Sequence, residues 1–95
     1  MRNLDEIKFQ ACNLCYAMLR NINDNFESVS FTICDDGDIQ VKIILTKKSV
    51  VEEGYIDDLI AEFTAKQEGD KVRVPDIVVG KNHQPLDNLV FRKSI

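Results

Sequence analysis

Cys12-Asn13-Leu14-Cys15 is a C-x-x-C, and with Cys34 and His83 it accounts for every cysteine and the single histidine of the chain. In redox proteins this spacing works because one thiol sits at a helix N-terminus, where the helix dipole lowers its pKa. Here the pair falls in mid-helix, with no strand before it. The same four side chains add up to a Cys₃His zinc set. Structural zinc, however, is held by two knuckle-like pairs in short turns, and two of these donors lie on one regular helix while His83 stands alone. The spacing therefore predicts buried thiols in a largely apolar helix and a loop histidine, with no metal and no cofactor.

Carboxylates are dense in two places: Asp35, Asp36 and Asp38 near one turn, and Glu52, Glu53, Asp57, Asp58 and Glu62 within a second helical segment. The first group lacks the twelfth-position ligand of an EF-hand loop, and its Asp-Gly pair is explained by turn chemistry. Glu52 and Glu53 suit a helix N-terminus, where the macrodipole favours negative charge. Asp58 and Glu62 are like charges one helical step apart, which disfavours an isolated helix by a few tenths of a kcal/mol. A basic partner surface would offset that repulsion.

Other chemistry is poorly provided for. The chain carries no Gly-rich phosphate loop, no G-x-S-x-G elbow and no H-E-x-x-H helix. An enzyme built on carboxylates alone would need a concave site holding two of them with separated pKa values, and no motif marks one. The formal charge of −4 opposes a general affinity for nucleic acid, and Lys81, Arg92 and Lys93 are too few for backbone-driven binding. No apolar run approaches a membrane span, and Asp5, Glu6 and Lys8 interrupt any signal-like stretch. With an odd number of thiols, too few for a disulfide framework, the expectation is a soluble cytoplasmic protein.

The elements that must position these groups follow from periodicity. Leu4, Ile7, Ala11, Leu14, Cys15, Met18 and Ile22 recur at helical steps, with Asn3 as N-cap and Glu6 completing a capping box. Phe9, Cys12, Tyr16 and Leu19 form a second apolar line, so this helix either lies deep in the fold or meets a partner. Val29, Phe31 and Ile33, then Ile39, Val41, Ile43 and Leu45, alternate with polar residues around Asp36-Gly37, which predicts a hairpin. Ser49 and Glu52 can open a second helix with Tyr55, Ile56, Leu59, Ile60 and Phe63 on its apolar face; Gly54 leaves its start between Ser49 and Tyr55. Val72 to Val79, interrupted by Pro75, reads as an edge or broken strand. A last strand follows the loop from Gly80 to Pro85, with Leu89, Phe91 and Leu86 facing inward.

The expected fold is a single α+β domain over residues 1–95, in the order α-β-β-α-β-β, with helices packed on a mostly antiparallel sheet. Size, acidity and the lack of catalytic motifs fit a stoichiometric protein-binding inhibitor of the bacterial immunity-protein class, one that neutralises a basic toxin such as a nuclease and is not an enzyme. Its partner-binding residues would be Asp57, Asp58, Glu62, Glu53 and Asp36, with Tyr55 as an aromatic anchor. The alternative is a structural or regulatory homodimer, paired through the edge near Val72 to Val79 or the broad face of the first helix.

Overall fold

The structure, a computed structural model, describes residues 4–93. The N-cap expected at Asn3 lies outside them. Helix α1 spans Leu4–Met18 and buries Gln10, Leu14, Ala17 and Met18. It ends four residues short of the expected Ile22. The cause is Asn21, whose side-chain amide donates to the Ala17 carbonyl at 2.7 Å while its backbone N–H turns to Met18 at 3.0 Å. The side chain thus occupies the acceptor that the next helical turn would need.

Strands β1 (Phe26–Ile33) and β2 (Ile39–Leu45) pair antiparallel, as the alternation requires. The five residues 34–38 connect them. Cys34 N–H donates to Asp38, Gly37 N–H donates to Cys34, and only Gly37, at φ +92°, is left-handed there. Glycine therefore serves the turn, while Asp36 contributes its carboxylate to the Asp38 N–H at 2.9 Å.

Helix α2 runs Val50–Ala65 from an N-cap at Ser49, with Gly54 inside it. Ser49 Oγ accepts from Val51 N–H at 3.3 Å and donates to Glu52 Oε1 at 2.6 Å. Glu52 is only 2% exposed, and its other oxygen accepts from Asn23 at 2.7 Å and Asn25 at 3.2 Å. This network places the start at Ser49 despite the glycine.

The sheet is mixed: two of its three strand pairings are antiparallel, as expected, and one is parallel. Strands β3 (Asp76–Val79) and β4 (Asn88–Arg92) complete the order β3-β2-β1-β4, in which β3 runs parallel to β2 and β4 antiparallel to β1. The parallel pair arises because α2 carries the chain back to the end of the sheet from which β2 started, giving a β-α-β unit. Val72 bridges Ile39 in isolation before Pro75 breaks the ladder, so this segment is both an edge and interrupted.

Both helices cover one face, where Leu14, Met18, Phe26, Phe31, Val41, Ile43, Ile56, Leu59 and Phe63 form the core. The other face of β1 is buried too. Since β3 and β4 occupy opposite edges, residues 80–87 must cross β2 and β1, and Leu86 N–H bonds Ser30 Oγ at 2.9 Å on the way. Ser28, Ser30 and Ile44 are consequently buried. In β4 a register shift opposite Val29/Ser30 brings Val90 and Phe91 against the core and leaves Leu89, expected inside, 46% exposed. A Cα radius of gyration of 12.6 Å is that of one domain of this length.

Two stability predictions follow from α2. A Cβ at Gly54 would meet nothing within 4 Å, so Gly54→Ala should stabilise the fold by about 0.5–1 kcal/mol in urea unfolding. Hydrogen bonds from Ser49, then Asn23 and Asn25, pull the Glu52 carboxyl from its ordinary 4.5 to about 2. Because the folded value lies below the unfolded one, its stabilisation is complete above pH 4.5 and is lost as pH falls through that window toward 2. Glu52→Gln should lower stability at neutral pH, and its deficit relative to the parent should shrink on acidification.

Candidate functional site

The thiols do not assemble. Cys12 and Cys15 are exposed, contrary to the expected burial, and Cys34 is half-buried at the hairpin. The buried stripe of α1 runs through Gln10, Leu14, Ala17 and Met18, which turns positions 12 and 15 outward. His83 lies on the crossing loop with Nε2 3.2 Å from the Val79 carbonyl oxygen. Among the described residues no group of three or more His, Cys, Asp or Glu side chains is placed to hold a metal. Partial burial and the neighbouring Cys12 push the Cys15 thiol up, the reverse of an activated redox thiol.

The two acidic clusters have different fates. At the hairpin tip Arg73 closes on Asp36 at 2.8 Å and on Asp38 at 3.4 Å. The Asp38 backbone N–H and then Arg73 hold the Asp36 carboxyl below its usual range. The tip is therefore an internal ion pair, located on a different element from the α2 carboxylates. Arg73 carries no sequence signal for this role, since its meeting with Asp36 depends on Val72 bridging to Ile39.

On α2, Glu53, Asp57, Asp58 and Glu62 are all exposed, while Glu52 is withdrawn into the network at the helix start. Lys48 reaches Glu53 at 3.6 Å. Glu62 faces α1 and accepts a hydrogen bond from Asn21 at 3.0 Å. Asp57 and Asp58 have no ion pair among the described residues. Tyr55 is half-buried and packs against the core, so only part of its ring is available at the helix surface.

Beside this acidic surface lies an apolar one. Phe9 and Tyr16 on α1 and Leu19 in the turn just past its end, the second apolar line, are 58%, 68% and 72% exposed. Between the helices a groove of about 440 Å³ is lined by Tyr16, Leu19, Arg20, Glu62, Ala65 and Lys66, with Lys66 Nζ 5.9 Å from the centre of the Tyr16 ring. Sequence periodicity identifies this second line but not its exposure, because which side of a broadly apolar helix is covered depends on where the sheet and α2 pack.

Single-cysteine variants check the placement of the thiols. In native protein at neutral pH, Cys12 and Cys15 should react with a disulfide reagent without unfolding and Cys34 more slowly; protection of all three until denaturation would contradict it. Compared with known proteins, the sequence matches no family model and no curated protein.

Proposed function

We propose that this domain is a non-catalytic, stoichiometric inhibitor that docks a basic protein through the outer face of α2, as immunity proteins do with toxins, nucleases among them. The observation that supports it is the pair Asp57 and Asp58, exposed on a regular helix with no internal counter-ion among the described residues. Glu53 extends the surface toward the helix start and Glu62 toward α1.

The physics of such a surface is chiefly kinetic. Complementary fields raise encounter rates, and charges at the centre of an interface add affinity once water is excluded around them. The rigid helix presents its carboxylates at little entropic cost, since the backbone is already ordered. The exposed part of Tyr55 offers an aromatic edge beside the charges. Asp36 belongs to this reading only if a partner extends to the hairpin tip and competes with Arg73 for it.

Affinity capture from the source cells, with parent and Asp57→Lys/Asp58→Lys proteins as baits at low and high salt, tests the reading. Glu62 is left intact because it also serves the buried Asn21. A basic protein held by the parent in stoichiometric amount, released by salt and lost by the variant, is the expected result. Association of the purified pair should slow by an order of magnitude or more in the variant. Identical capture by both baits would refute the α2 face.

A further inference from the structure

The sheet face turned away from the helices carries a polar pocket of about 290 Å³, closed on one side by the crossing loop. Its floor is a row across three strands, in which Ser28 of β1 is paired with Ile44 of β2 and with Arg92 of β4. Residues directly opposite one another share a face. That face is the one beneath the loop, because Ser30, two residues beyond Ser28, accepts from the loop at Leu86. Glu27 is the extra residue of a β-bulge at this end of β1, a feature that re-aims side chains.

Two independent observations mark the pocket as a site. Ser28 is 3% exposed, and its hydroxyl has no partner among the described residues. A buried hydroxyl is costly to leave unpaired, which points to a partner outside the chain. Around it, Lys81 and Arg92 are exposed and make no ion pair among the described residues. The walls are held in place. Lys93 N–H donates to the Glu27 carbonyl at 2.9 Å and its Nζ to the Asp24 carbonyl at 2.6 Å, while His83 Nε2 donates to the Val79 carbonyl at 3.2 Å.

We propose that this pocket binds the phosphate group of a small phosphomonoester. Lys81, Arg92 and Lys93 against Glu27 leave two positive charges at the site. A phosphomonoester carries about −1.5 to −2 at neutral pH and matches them, whereas a carboxylate supplies a single charge. The Arg92 fork suits two phosphate oxygens, and Lys81 adds a point charge from the loop. Ser28 donates its hydroxyl after a change of χ1 rotamer. Ile44 and Pro85 give the adjoining carbons of the ester an apolar wall. Three cations are too few to follow a nucleic-acid backbone but enough for one phosphate. The site lies on the opposite face from α2, so it is independent of the proposed docking surface.

Titration of the whole chain with inorganic phosphate, at constant ionic strength and followed by ¹H–¹⁵N correlation spectra, tests the proposal. Saturable shifts should centre on residues 27–28, 80–85 and 92–93, with half-saturation at millimolar concentration or below. Arg92→Gln and Lys81→Gln should each weaken binding by roughly tenfold. Ser28→Ala should keep the parent's spectral dispersion and weaken binding several-fold; a hydroxyl of purely structural consequence would change stability and leave binding alone. Glycerol phosphate should bind at least as tightly as inorganic phosphate, and acetate far more weakly. Absence of saturable shifts, any of the three variants binding as the parent does, acetate matching phosphate, or glycerol phosphate binding more weakly than inorganic phosphate would overturn it.

Discussion

A buried carboxylate ties the two halves of this fold together. Glu52 sits almost wholly out of water, where an ionised carboxylate is tolerated only if donors replace its hydration. Those donors come from the N-cap of its own helix and from Asn23 and Asn25, in the link between α1 and β1. Asn25 in turn holds the end of β2 through its carbonyl, which accepts from the Thr46 N–H at 2.8 Å. The start of α2 is thereby pinned to both strands of the hairpin and to the exit of α1. An apolar residue at position 52 could bury the same volume but would take the acceptor from the side-chain N–H groups of Asn23 and Asn25 and from the Ser49 hydroxyl.

Once the start of α2 is set, much of the topology follows. The helix returns the chain to pair β3 in parallel with β2, and β4 must then find the remaining edge beside β1. The crossing loop this requires converts a one-sided hairpin into a sheet with both faces of its central strands covered. Ser28 and Ser30, which alternate with the apolar residues as a solvent-facing set would, are buried in consequence. Ser30 is used by the loop backbone, whereas Ser28 Oγ has no protein partner.

The two helices share an inward task and differ outward. Helix α2 turns carboxylates to the surface and α1 turns aromatic and aliphatic side chains there, with Lys66, Arg20 and Glu62 between them. Charge favours fast, salt-sensitive recognition of an unlike partner, and an apolar stripe of regular spacing favours close packing with a complementary helix.

The element order was legible in the sequence because it rests on local chemistry: the helical step of Leu14 and Met18, the alternation through Val29 to Ile33, the Gly37 turn, and the reach of Glu52 back to Ser49. The α2 carboxylates were legible for the same reason, since helical spacing places Asp57 and Asp58 away from Ile56 and Leu59. Other features were decided by partners distant in the chain. Arg73 neutralises Asp36 across 37 residues, Asn21 ends α1 early beside Glu62, and β3 pairs parallel because a helix intervenes. The thiols show the difference most directly. A helix with two apolar lines can bury either one, and only the packing of the sheet and α2 turned Leu14 inward and left Cys12, Cys15 and Tyr16 facing out.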